Sequence, residues 1–102
     1  MKEKILRRVF LGFIQIHILY HAKKDPIYGS WMIEELKNHG YKASPGLIYP
    51  MLSKMEKEGL LFRSNKNING RIRKFYSITE LGEEVLKEAY VKAESLFGEI
   101  HE

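Results

Sequence analysis

From Val9 to Tyr20 the chain carries an apolar run whose members, at helical spacing, point in nearly every direction around the axis. A helix that is apolar all round has to be covered all round. The run is too short to cross a bilayer, which takes about 20 residues, and Gln15 and His17 interrupt it. No small-residue cleavage site follows, so a secretory leader is not expected and the chain reads as cytoplasmic. With 102 residues there is material for a single domain. Such a domain covers one side of the helix, and a second copy of the chain is expected to cover the other.

The rest of the chain divides at clear punctuation. The first helix is expected over Lys2 to Ala22, broken by Asp25-Pro26. A short helix follows from Tyr28 to Asn38, with Gly29, Met32, Ile33 and Leu36 as its inward stripe and His39-Gly40 as its end. Ser44-Pro45 supplies an N-cap and a first-turn proline for a third helix running to Lys57, closed by Gly59. Two strands are expected over Leu60–Ser64 and Arg71–Ile78, with the tip in Asn67-Ile68-Asn69-Gly70. Thr79 caps a last helix reaching Ile100. The fold class is mainly α with a small β-hairpin: a winged helix-turn-helix over residues 1–78 and a long C-terminal dimerisation helix over 79–102.

Charge gives the body and the tail different partners. Residues 1–78 hold 15 Lys and Arg against 6 Asp and Glu, a net of +9. Residues 79–102 hold 2 against 7, a net of −5. A basic body is suited to a polyanion. The absence of cysteine excludes disulfides, thiolate metal sites and a cysteine nucleophile.

The third helix carries the sharpest pattern. Ile48, Met51, Leu52 and Met55 recur at i, i+3, i+4, i+7 and face the core. The opposite side shows Gly46, Tyr49, Pro50, Ser53 and Lys57, with Lys54 beside it and no acid at its centre. A surface that is small, polar or positive can enter a DNA major groove without repulsion. Its N-terminus offers unpaired N–H groups at Gly46 and Leu47 to a phosphate. Pro50 deletes one intrahelical hydrogen bond and is expected to kink or loosen the first turns. The hairpin adds Arg63, Lys66, Arg71, Arg73 and Lys74 with no acid among them, a cationic ribbon for a phosphate or the adjacent minor groove.

In the last helix Leu86, Ala89, Ala93, Leu96 and Ile100 follow the alternating three-four spacing of a coiled-coil seam, and Gly82 extends it backwards as a small residue allowing close approach. Leu81, Val85, Tyr90 and Phe97 form a second set suited to packing on the first helix. The expected dimer interface therefore comprises Phe10, Phe13, Ile14 and His17 with Leu86, Ala89, Ala93, Leu96, Phe97 and Ile100.

At these residues the chain resembles the PadR family of transcriptional regulators. The resemblance rests on Tyr28-Gly29 with Ile33 and Leu36, on SPGLIYPMLSKMEKEGLL (44–61), and on GRIRKFYSIT (70–79) with Gly82, and spans about Leu11 to Leu86. It implies a homodimer joined through the first and last helices that represses by binding an inverted-repeat operator. The implied DNA-facing residues are Ser44, Gly46, Tyr49, Ser53 and Lys54, with Gly70, Arg71, Arg73 and Lys74 on the wing. Pro50 finds its context in the family's Tyr-Pro pair. The last helix departs from the pattern of ligand-binding members in lacking a tryptophan, and Trp31 on the second helix is the one candidate for stacking a small ligand. Three other readings stand beside this one. No nucleophile–base arrangement supports an enzyme. His17 and His21, one turn apart, have the spacing of a metal-responsive sensor, although no third ligand is evident and neither metal nor cofactor is expected. A winged helix can also bind protein in place of DNA.

Overall fold

The computed structural model describes residues 1–101 and contains α1 (Lys2–Lys24), α2 (Gly29–Asn38), α3 (Pro45–Lys57), β1 (Leu61–Ile68), β2 (Arg71–Ile78) and α4 (Glu80–Ile100). The element order matches the expected one. Ile14, Ile18, Leu19 and Ala22 of α1, Met32, Ile33 and Leu36 of α2, and Ile48, Leu52 and Met55 of α3 share one core with Ile27, Ala43, Leu61 and Tyr76. Gly40, at φ 87°, ends α2 and lets the Tyr41 N–H reach the Leu36 carbonyl at 3.0 Å. Gly59, at φ 82°, ends α3 in the same way, with the Leu60 N–H bonded to the Met55 carbonyl at 2.9 Å. Both are six-to-one closures that need a left-handed residue. α3 runs through Pro50, and the bond its ring deletes would have gone to the Gly46 carbonyl, on the exposed side of the helix.

The hairpin is longer than expected. β1 continues past Ser64 to Ile68, so the turn proper is Asn69-Gly70, with φ of 53° and 82°. Both central residues have positive φ, as the hairpin turn compatible with strand twist requires. The Asn67 side-chain oxygen accepts the Gly70 N–H at 3.0 Å. Ile27 joins the edge of β2: its N–H and carbonyl bond to the Tyr76 carbonyl and N–H at 2.9 and 2.7 Å.

α4 is hydrogen-bonded to the body at its start, and it also lies along α1, where Leu86 packs against the core and Lys23 Nζ is 3.8 Å from Glu83. The Thr79 side chain accepts the Gly82 N–H at 3.0 Å and donates to the Gly59 carbonyl, while the Thr79 N–H bonds to the Leu60 carbonyl at 3.1 Å. Gly82 is the one buried residue of α4. A Cβ there would collide with the Leu60 carbonyl oxygen and come within 2.7 Å of the Ile78 side chain. The close approach that Gly82 permits is therefore to its own chain, not to a second helix. Gly82→Ala is expected to lower stability by about 1–3 kcal/mol, because a backbone carbonyl cannot move aside as a flexible side chain does; a shift in urea midpoint measures it.

α1 and α2 meet through a half-buried imidazole cluster. One Glu35 carboxylate oxygen lies 3.3 Å from His21 Nε2 and 3.2 Å from His39 Nε2. The His17 ring sits 4.7 Å from that of His39 and 5.5 Å from that of Tyr41. Burial pushes His17 below its ordinary pKa of 6.5, and His39 and His21 add to this. Burial also lowers His21, against a smaller upward pull from Glu35. The unfolded chain then binds more protons than the folded one just below pH 6.5, so stability rises with pH there. The contribution is complete above 6.5 and declines as pH falls toward the lowered folded values. Denaturation midpoints recorded between pH 5 and 8 are expected to show this decline, and His17→Gln with His21→Gln is expected to flatten it.

Candidate nucleic-acid interface

α3 stands between the α2 N-terminus and the hairpin, and its polar side is open. Ser44 caps the helix, its hydroxyl accepting the Leu47 N–H at 3.3 Å. Gly46 is exposed, and the nearest atom to a Cβ added there is the Ser44 oxygen at 3.9 Å. The Gly46 N–H is among those that a helix start leaves without an intrahelical partner. Tyr49 is 48% exposed, but the buried edge of its ring lies on Gly29. A Cβ on Gly29 would come within 2.7 Å of Tyr49 Cζ, so glycine at the head of α2 is what gives this tyrosine its seat. Ser53 is half-buried, and Lys54 and Lys57 are exposed. Lys54 and Pro50 border a cleft against Leu11 and Gln15 of α1, which places them on the α1 side of the surface.

Arg63, Lys66, Gly70, Arg71, Arg73 and Lys74 are all exposed. The register pairs Arg63 with Tyr76, Asn65 with Lys74 and Lys66 with Arg73. Because successive side chains alternate faces, Arg63 and Lys74 share the face of Tyr76. That face looks toward α3: burial pushes the Tyr76 hydroxyl pKa upward, and Glu56 of α3 is its foremost charged neighbour. Lys66, Arg71 and Arg73 lie on the other face. The five cations are thus divided between two surfaces, a split that counting charge does not reveal.

Four of the ten residues expected at a dimer interface are exposed, and the other six are half-buried or buried. Phe13 is 44% exposed, and Leu96, Phe97 and Ile100 exceed half. Ile14, at 3%, belongs to the chain's own core and is not available to a partner. Phe10 is half-buried with its ring edge-on to Tyr41 at 5.5 Å, and His17 is half-buried in the imidazole cluster. Leu86 packs against the core, and Ala89 and Ala93 are half-buried. Leu81, Val85, Tyr90 and Phe97, expected to pack on α1, are exposed instead. The exposed apolar surface of α4 thus includes this set together with Leu96 and Ile100 of the expected seam. Trp31 is 40% exposed, meets His21 edge to face at 5.3 Å, and borders a cleft of about 350 Å³ with Lys24, Pro26 and Tyr28. Among the described residues, no group of three or more His, Cys, Asp or Glu side chains is placed to hold a metal ion.

Comparison with known proteins decides the family. The profile of the transcriptional regulator PadR-like family matches residues 18–88, which include α2, α3 and the whole hairpin. The chain belongs to the PadR-like family. It is similar to transcriptional regulator Rv3488 of Mycobacterium tuberculosis (strain ATCC 25618 / H37Rv), at 38% identity over 87 residues, or 85% of this chain and 81% of that protein. It resembles the crystal structure of a PadR-like transcriptional regulator from Bacillus cereus strain ATCC 14579, with TM-score 0.83 and 31% identity over 92% of this chain and 93% of that one. A PadR family regulator from Eggerthella lenta DSM 2243 shares the fold at TM-score 0.82 and 24% identity, covering 96% and 87% of the two chains. The PadR-like fold is a winged helix-turn-helix with a long C-terminal helix, and its members are DNA-binding transcriptional regulators.

Proposed function

We propose that this PadR-like regulator works as a homodimeric repressor that binds an inverted-repeat operator in double-stranded DNA, acting in the cytoplasm by binding and not by catalysis. The observation that carries the reading is the open side of α3: exposed Gly46 with only the Ser44 hydroxyl near it, Tyr49 half exposed, and exposed Lys54 and Lys57, next to a wing free of acids. In this reading α3 enters the major groove with Ser44, Gly46, Tyr49, Ser53, Lys54 and Lys57. Phosphate meets the Gly46 amide and the positive end of the helix. The wing, with Arg63, Lys66, Gly70, Arg71, Arg73 and Lys74, supplies the field that draws the adjacent backbone in.

The second copy follows from exposed apolar area. α4 buries one residue while Tyr90, Val91, Leu96, Phe97 and Ile100 each stay more than half exposed. Isolated helices are marginal in water, so most helical stability comes from packing an apolar face. The radius of gyration, 14.7 Å, exceeds the roughly 13 Å expected of a compact domain this long. Dimerisation through α4 and the exposed side of α1 covers this surface. It also presents two copies of α3, which a two-fold axis would set on half-sites about 34 Å apart.

Selection of bound duplexes from a random pool, followed by footprinting, tests the reading. The expected winner is an inverted repeat protected on one face at two adjacent turns. Recovery of no preferred sequence would leave a protein-binding winged helix as the better account.

A further inference from the structure

Lys66 and Arg73 stand directly opposite each other in the hairpin ladder. Like charges in that position repel, and a two-stranded ribbon has little stability to spare. Two aromatic rings relieve the conflict. The Arg73 guanidinium lies over the Tyr28 ring, 4.2 Å from its centre, and the Lys66 ammonium lies over Phe75 at 4.8 Å. The Tyr28 and Phe75 rings meet edge to face at 5.4 Å. Arg73, Tyr28, Phe75 and Lys66 thus form one continuous stack on the hairpin face opposite Tyr76. Tyr28 belongs to neither strand. It is the N-cap residue of α2, and its neighbour Ile27 carries the two backbone bonds to Tyr76. The stack therefore ties the direction of the wing to the first residue of the helix-turn-helix.

We propose that Tyr28 is a positioning residue of the DNA interface, holding the wing at its working angle through Arg73. Arg73 and Lys66 add to the wing's field at a distance while bracing the ribbon, and direct phosphate contact falls to Arg63, Arg71 and Lys74. The inference rests on the DNA-binding reading above. From Asn65 to Lys74 both strands and the turn are exposed. A protruding ribbon loses freedom when it docks, and ordering it beforehand lowers that cost. A cation over an exposed ring contributes enough to change affinity about two- to five-fold. Tyr28 makes no side-chain cap to α2, so replacing it takes no cap away.

The test uses the full chain and two measurements. Amide hydrogen exchange on the DNA-free protein, read at Asn67–Arg71, is expected to quicken about two- to five-fold in Tyr28→Leu and in Arg73→Gln. Tyr28→Phe, which keeps the ring, and Arg71→Gln are expected to match the wild type. Affinity for a 40-base-pair duplex carrying the selected sequence is then titrated with salt. Tyr28→Leu and Arg73→Gln are expected to lose about two- to five-fold at every salt concentration with an unchanged slope. Arg71→Gln is expected to reduce the slope by about 0.9 for each phosphate lost. An Arg73→Gln slope as flat as that of Arg71→Gln would overturn the proposal, as would unaltered tip exchange in Tyr28→Leu or a Tyr28→Phe that fails to restore it. Core amides in α1 and α3 report folding in each variant, and exposed Arg73 carries the test alone if Tyr28→Leu misfolds. Faster tip exchange in a protein that binds no duplex at all would overturn the DNA role of Tyr28 and leave the brace standing.

Discussion

Raising salt from 50 to 200 mM is expected to weaken duplex binding by about 10³–10⁵-fold, and replacing Arg63, Arg71 and Lys74 together by Gln is expected to abolish most of that dependence. The magnitude follows from counterion release. A dimer that neutralises about 6–10 phosphates frees the cations condensed on them, and the slope against log salt is about 0.9 per phosphate. The triple replacement removes three cations from each protomer, so a dimer loses about five from its slope if all six touch phosphate. Glutamine keeps the first methylenes and a polar, hydrogen-bonding end while removing the charge, so the salt slope reads mainly the lost cations. Binding to unrelated duplexes is expected to fall as far as binding to the selected one, because phosphate contacts position without specifying. Fluorescence anisotropy at four or five salt concentrations measures both quantities. A triple variant with the wild-type slope would remove the wing from the interface.

The second large effect concerns assembly. Leu96→Asp with Phe97→Asp is expected to convert the dimer to a monomer in sedimentation velocity and to abolish protection of paired half-sites. Both side chains are more than half exposed on the single chain, so the aspartates meet water there and cost the isolated fold little. At a two-fold interface each substitution occurs twice, and four buried carboxylates without partners cost far more than the apolar contacts they replace. A half-site has to be bound by one α3 at a time in the monomer. The predicted affinity is then that of weak, sequence-tolerant binding. A variant that sediments as the wild-type dimer would place the interface elsewhere on the chain.

How far the residues foretold the structure depends on whether their signals were local. The stripe Ile48, Met51, Leu52 and Met55 could be read because one helical period determines which side turns inward, and glycine after α2 and α3 marks where a left-handed residue closes a helix. The outer hairpin was missed because Asn65, Lys66 and Asn67 are poor strand formers; the tight Asn69-Gly70 turn carries the ladder through them. Ile14, Phe10 and His17 were assigned to a partner because a helix apolar all round does not reveal which side its own domain takes. On α4 the same ambiguity leaves members of both apolar sets exposed, Leu96 and Ile100 as well as Leu81, Val85, Tyr90 and Phe97. Gly82 fitted a seam by spacing, whereas the backbone it approaches belongs to Leu60, a loop residue whose position depends on the whole fold. The seat of Tyr49 on Gly29 and the stack of Arg73 on Tyr28 join residues far apart in sequence. Periodicity cannot register either pairing.

The junction at Thr79 leaves almost no slack between the end of α3 and the start of α4. A helix of 21 residues is about 32 Å long, so in the proposed dimer a tilt of a few degrees at the far end of α4 would be absorbed by the partner or delivered whole to α3. In the proposed dimer, operator spacing would accordingly be set by side chains at the end of α4 remote from α3. Substitutions near Leu96 could retune which spacings are tolerated without touching a nucleotide.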